Sequence, residues 1–394
     1  MQEPQLWKLA PVSVTKPWGL VHAQALELTG IEAGIGELWL ASAQTGPGNY
    51  SNPVVGPPLG RTLADLLEEA HAGGEGALEP LLGQPVLRHL RENPHRGKTE
   101  AWYIRSVRGR TGLASGPRTA QDAARLQELI QGEGLPPDVR AWSDEVRALF
   151  GIIEPLAGGE AFLAPAGALH TMFAVGPDSR LIIDELQQGY GDGLLPTLTK
   201  ILMVQDDLLS VQVHPDDRTV ADVAEGRLQI DQDLQANPTV RIYDFGRRPG
   251  EYPELGFRLV DPDVGLRRIA PVRVEVDGQH SVEVLVADPH FARSRLCLRA
   301  GACDLGPHHG SYRTLHCLCG SAKLTVPDGA MMLRRGETVF VPACFEGALR
   351  IETETGCALF DDALPDLAAL TDFLESQGAG ADQVDALLDP PRAI

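Results

Sequence analysis

Two hydrophobic periods alternate along this chain, and each change of period marks a new part of it. Residues 1–57 run as short apolar stretches broken by Gly and Pro, as in "GIGELWLAS", which predicts strands and turns. In "RTLADLLEEA" the spacing of Leu63, Leu66 and Leu67 is helical, and a second apolar helix is predicted around residues 86–90. "GKTEAWYIRSV" returns to the strand period. Thr119 with Asp122 resembles a capping box opening the helix "AQDAARLQELI". Beyond Pro136 and Pro137, a further helix is predicted to carry Val139, Trp142, Val146, Leu149 and Phe150 on one stripe. Strands resume in "EAFLAPAGALH", "RLIIDEL" and "LLSVQVHP", while residues 194–205 fit either period. Residues 282–360 read as short strands and turns, and residues 364–388 as a helical tail around Gly378 and Gly380.

This pattern predicts a mainly β protein, a sandwich or barrel with helical insertions, and not the strand–helix alternation of a parallel sheet. "GEAFLAPA" at 159–166 matches "GETVFVPA" at 336–343 in register, which suggests two copies of one β-domain. Four residues past the shared alanine the first copy has His170 and the second has Gly347, so the first is expected to be the active one. The 394 residues exceed one typical core. The expected division is a first domain over 1–265, with helical insertions at about 59–92 and 119–150, a degenerate second domain over 266–362, and a helical tail over 363–394. The apolar stripe of 119–150 calls for a core, so this insertion is expected to pad the barrel rather than cover its mouth.

The net charge of −20 makes nucleic acid and anionic membrane poor partners, and requires a local basic cluster for any anionic substrate. "MQEPQLWKLA" lacks an apolar leader core, and no run approaches the ~20 apolar residues of a membrane span, so a cytoplasmic protein is expected. Monomer and homodimer are both open. The six cysteines lie between Cys297 and Cys357 without C-x-x-C spacing, and are read as small buried residues.

Candidate chemistry begins with "SVQVHPDD", where Gln212 and His214 share one strand face before Pro215 ends the run. In "RGKTEAWY", Lys98, Glu100 and Trp102 share a face in the same way, suggesting a pocket with a charged pair and an aromatic wall. Glu100, His170, Gln212 and His214 together make a mixed N/O set suited to Zn²⁺ or another borderline divalent ion. His308, His309 and His316 could hold a second metal, but Gly347 at the position matching His170 argues against it.

"LTKILMVQDDLLSVQVHPDD", "GKTEAWYI", "PAGALHTM" and "VRIYDFGR" resemble signature stretches of the type I mannose-6-phosphate isomerases, zinc-dependent double cupins. "KPWG" and "GELWLAS" resemble that family's opening. The likeness covers residues 10–250 in patches. It implies two cupin-like jelly-roll barrels, a zinc ion on Gln212, His214, Glu100 and His170, and a sugar-phosphate substrate. It also implies that Arg241 acts on the sugar and that Lys98 stands in the pocket, the two being the catalytic pair with the roles of base and electrophile open between them. The reaction would interconvert mannose 6-phosphate and fructose 6-phosphate through an enediol; a related sugar isomerase or epimerase, or a non-catalytic sugar-binding cupin, is the alternative. Lys200 and Arg247 are candidates for the phosphate. The "QVHPDD" segment stands after the "GKTE" stretch here, displaced from the family's order. Ligation depends on space rather than chain order, so the four-residue site is expected to be rebuilt.

Overall fold

The computed structural model describes residues 5–20, 34–45, 50–56, 60–94, 96–189, 193–225, 239–247, 251–304, 309–345 and 347–390. The chain is mainly β, and its described residues form two sheets of eleven strands each. One sheet runs in the order Arg267–Ile269, Ala161–Ala164, Glu100–Ser115, His170–Gln188, Thr197–Gln205, Ile35–Ala41, Val12–Leu20. The short strand Val211–Val213 joins it between His170 and the strand Val240–Tyr243. The other sheet gathers the strands from Val272 to Ala363, and the chain's first strand, Trp7–Leu9, pairs into it against Thr338–Val341. The two matching stretches of sequence supply Ala161–Ala164 to one sheet and Thr338–Val341 to the other.

The two long strands of the first sheet are buried on both faces, so clean alternation is lost. In Glu100–Ser115, Trp102 and Ile104 point into the barrel with Met172, Ile183 and Leu202. Ala101, just before Trp102, faces the second sheet with Leu186, Leu296 and Leu359. This side-to-side sharing explains why an aromatic stands beside a charged pair: Trp102 is 1 % exposed and belongs to the core. A buried polar seam joins the two halves, with Thr199 donating to Asp362, which also receives a two-point hydrogen bond from Arg293.

Helices form where capping residues and apolar stripes coincide. Thr62 and Asp65 close a capping box at Leu63–Ala72. Thr119 accepts from the Asp122 amide at the start of Ala120–Gly132, although the Asp122 carboxylate takes the Thr119 hydroxyl rather than a backbone amide. The stripe from Val139 to Phe150 is not one helix. Asp138 caps a short 3-10 turn over Val139–Ala141, then Ser143 starts a new helix over Asp144–Leu149. Two local N-caps override the shared apolar face. All these residues pack with Leu126, Ile130, Phe173 and Val175 on the outer side of strand His170–Gln188. The tail forms Leu367–Ser376 and Ala381–Leu388, and residues 194–205 resolve into the strand Thr197–Gln205. Among the described residues, no helix is long and apolar enough to cross a membrane.

Candidate metal centre

Three loops that are distant in sequence are stitched together by backbone hydrogen bonds. The Lys98 amide donates to Pro215 O at 3.1 Å, and the Gly167 amide to His214 O at 2.8 Å. The Gly97 amide donates to Asp217 Oδ1 at 2.7 Å. Gly97 has to be glycine: a Cβ there would lie 2.4 Å from Pro215 O and 2.6 Å from Asp216 C. Gly167, at φ +85°, turns the chain sharply before His170. The "GKTE", "PAGALH" and "QVHPDD" segments therefore converge.

Their side chains meet. Glu100, His170 and His214 are buried, and one ligand atom from each lies within 4.8 Å of the others. Glu100 Oε1 is 3.1 Å from His214 Nε2 and 2.5 Å from Lys98 Nζ, while Glu100 Oε2 faces His170 Nε2 at 3.7 Å. His170 Nδ1 donates to Ala168 O at 3.0 Å, which leaves its Nε2 as a lone pair. The Gln212 amide nitrogen stands 3.2 Å from that Nε2, and its oxygen accepts from Ser210 Oγ. Gln212 turns its oxygen to a cation by a simple amide flip.

The electrostatics favour a cation here. Burial lowers the pKa of His170 and, together with Lys98, brings His214 down to about 3, so both rings are neutral. Burial alone would raise Glu100, but the Lys98 ammonium, with a hydrogen bond from His214, more than reverses it and holds the carboxylate ionised. A carboxylate oxygen then faces an imidazole lone pair in a dry site, an arrangement that a divalent ion between them satisfies. The donor set fits a metal ion.

Beside this centre lies a cavity that Gln212, Glu100 and Lys98 help to line. Lys16, Lys98, Lys200 and Arg241 bring four cations to its wall against Glu37, Glu100 and Glu185. This is the basic cluster that an anionic substrate needs in a chain of charge −20. Lys16 pairs with Glu37 at 2.9 Å, and Lys200 with Glu185 at 3.0 Å. Burial opposes ionisation of Glu37, yet Lys200 and Lys16 take it down to about 2. Glu185 goes the other way: burial and the Glu100 carboxylate push it up to about 7 against the pull of Lys200. One cavity thus holds two carboxylates kept as anions, Glu37 and Glu100, and a third, Glu185, shifted toward its protonated form. Trp39, with the Lys200 ammonium 4.9 Å from its ring, stacks on Tyr50 at 4.8 Å and forms an aromatic wall.

Of the residues singled out in the sequence, Lys98, Glu100, Gln212, Lys200 and Arg241 line the cavity, and Arg241 pairs directly with Gln212 across the ladder. His170 and His214 stand just behind its wall, each 1 % exposed. Trp102 lies outside the lining, edge-on to the His170 ring at 5.1 Å. Arg247 also lies outside, paired with Asp207 at 2.9 Å and Asp244 at 3.0 Å. His309 accepts from the Asp366 amide and His316 hydrogen-bonds Thr338, while His308 is outside the described residues. Sequence reasoning passed over Lys16, Glu37, Glu185 and Gln187. A signal for the last two exists: Leu181, Ile183, Glu185 and Gln187 share one strand face, and its last two members are polar.

No family model matches the chain, and no curated protein matches it by sequence. Solved structures do match. Mannose 6-phosphate isomerase from Bacillus subtilis is 17 % identical, with a TM-score of 0.56, over 91 % of this chain and 99 % of that one. A point mutant of phosphomannose isomerase from Salmonella typhimurium is 15 % identical, with a TM-score of 0.52, over 92 % and 100 %. At these identities the likeness is one of fold: the chain is a mainly β protein with the cupin architecture of these sugar-phosphate isomerases.

Proposed function

We propose that this protein is a zinc-dependent isomerase that interconverts mannose 6-phosphate and fructose 6-phosphate. Glu100, His170, His214 and the flipped Gln212 amide would hold the ion. Zinc bound there would supply Lewis-acid polarisation of the sugar oxygens. The rest of the chemistry belongs to the chain. The reaction moves a proton between C1 and C2 of the opened sugar through an enediol. Glu185, poised near pH 7 and lining the same cavity, takes that proton and returns it. Lys98 and Arg241 face the charge that develops on the sugar oxygens. Against burial, Glu185 and then Glu37 keep Lys200 charged, and Lys200 in turn holds Glu185 in place at 3.0 Å. Trp39 and Tyr50 offer the sugar an apolar wall.

The observation that carries this reading is the placement of a Glu–His–His donor cluster against a cavity with four cations and one near-neutral carboxyl. Its test is turnover of mannose 6-phosphate before and after chelation. Activity that chelator removes and zinc restores supports it. Turnover indifferent to chelator, or none by the zinc-loaded protein, overturns it.

A further inference from the structure

Gln187 and Gln188 are neighbours with opposite fates. Gln188 is fully engaged: its amide oxygen accepts from Thr99 N, and its amide nitrogen reaches Asp217 Oδ1 and His290 Nδ1. Gln187 is completely buried, and neither its amide nitrogen nor its amide oxygen meets a hydrogen-bond partner. Leaving a buried carboxamide unpaired is costly, and native folds rarely tolerate it without a use. Its position supplies the use. Gln187 lines the cavity, pairs across the ladder with Glu100, and stands two residues beyond Glu185 on the same strand face. It therefore stands level with Glu100 of the candidate metal centre and next to Glu185 along the same strand face.

We propose that Gln187 is a specificity-determining residue, whose carboxamide both donates to and accepts from a hydroxyl of the bound sugar next to the reacting carbons. The inference rests on the proposed sugar-phosphate reading and deepens it. A carboxamide suits this task because a sugar hydroxyl also offers one donor and acceptor lone pairs. A site built this way rejects an analogue that lacks the hydroxyl, since the buried amide is then left unpaired.

The test compares wild type with Gln187→Leu on mannose 6-phosphate and on its 3-deoxy analogue. Wild type should favour the parent sugar by about 100-fold or more in kcat/KM. Gln187→Leu should lose most of that preference by failing on the parent sugar while the deoxy analogue is spared. Its Tm should rise by roughly 2 °C, because an unsatisfied amide gives way to an apolar group of similar shape. Equal losses on both sugars, or a preference left intact, would overturn the proposal. If wild type turns over neither sugar, binding of mannose 6-phosphate and the analogue, followed by tryptophan fluorescence, decides. Discrimination that Gln187→Leu abolishes sustains Gln187's role while the isomerase reading fails. Binding without discrimination, or no binding, overturns both.

Discussion

Glu100 and His170 open two strands that pair with each other along their whole length, yet each residue sits at the opposite end of that ladder. Glu100 is level with Gln187, and His170 with Ser115. Their side chains nevertheless meet at 3.7 Å. The ladder slips register at Ile104/Ser106 and again at Arg108/Arg110, and such bulges bend a strand pair strongly. The curl brings the two strand starts together, and Val211–Val213 closes the gap by pairing Gln212 to His170. The candidate metal centre is where the barrel meets itself.

Glu100→Gln tests the centre directly. The variant removes a charged donor and leaves Lys98 buried beside an uncharged amide. Metal retained after dialysis should fall at least ~10-fold and kcat at least ~100-fold. Unfolding in urea should show a loss of about 3–5 kcal/mol, the usual cost of breaking a buried pair by removing one member. Full metal content in the variant would remove Glu100 from the ligand set.

Glu185 makes a prediction about pH. Folded Glu185 keeps its proton up to about 7, whereas its ordinary value is 4.5. Between these values the folded state binds more protons than the unfolded one. This group's contribution to stability is therefore full below 4.5 and lost as pH rises through 7. Glu185→Gln should be close to wild type in unfolding free energy at pH 4.5 and gain on it by pH 8. In turnover, kcat of wild type should rise through pH 7 as the accepting carboxylate forms. The variant should show no such rise and fall ~100-fold or more. A matching pH profile in both proteins would take Glu185 out of proton transfer.

Gly97→Ala probes the stitching of the loops. The added Cβ would press on the backbone of Pro215 and Asp216, which has no side-chain freedom with which to yield. The segment ending in His214 must shift, so zinc affinity should drop ~10-fold or more while the far sheet stays intact. Calorimetric zinc titration reads the first effect, and near-ultraviolet circular dichroism the second. Unchanged affinity would show that the contact is not what positions His214.

Leu126→Ala separates padding from lid. Leu126 is fully buried among Phe173, Val211 and Val213, on the outside of the barrel wall. The cavity should cost about 2–5 kcal/mol in unfolding free energy, with KM unchanged. A KM that rises in step with the destabilisation would mean that the insertion takes part in substrate binding.

How much of this could be read from the residues themselves varies with the kind of signal. Gln212 with His214, and Lys98 with Glu100, stand out because period-two spacing puts unlike polar groups on one face of short strands bounded by Gly or Pro. His170 could be picked out only through the internal match and the resemblance. Glu185 and Gln187 lie in the apolar run "RLIIDELQQ", where a polar residue reads as solvent-facing unless both sheet faces are known to be covered. Lys16 and Glu37 pair across two strands, and nothing local announces that meeting. Arg247 looked like a phosphate ligand because the distant Asp207 and the nearby Asp244, which hold it, are visible as partners only in the fold. The helix stripe from Val139 to Phe150 misled for the opposite reason: periodicity is averaged over a window, while Asp138 and Ser143 act at single positions.

The strand Trp7–Leu9 has a consequence for how the protein is made. Trp7 stacks on Phe340 and packs with Trp39 and Leu198, beside the cavity wall. Made well before its partner strand, it must wait for residue 340 before it can pair. At about 5–20 residues per second, that delay is some tens of seconds. Once residue 214 has been made, the nascent chain holds every candidate metal donor but lacks the backing that firms one side of the cavity. Metal loading should therefore be a late event in biogenesis, and a chain stalled before residue 338 should emerge metal-poor and exposed to proteases.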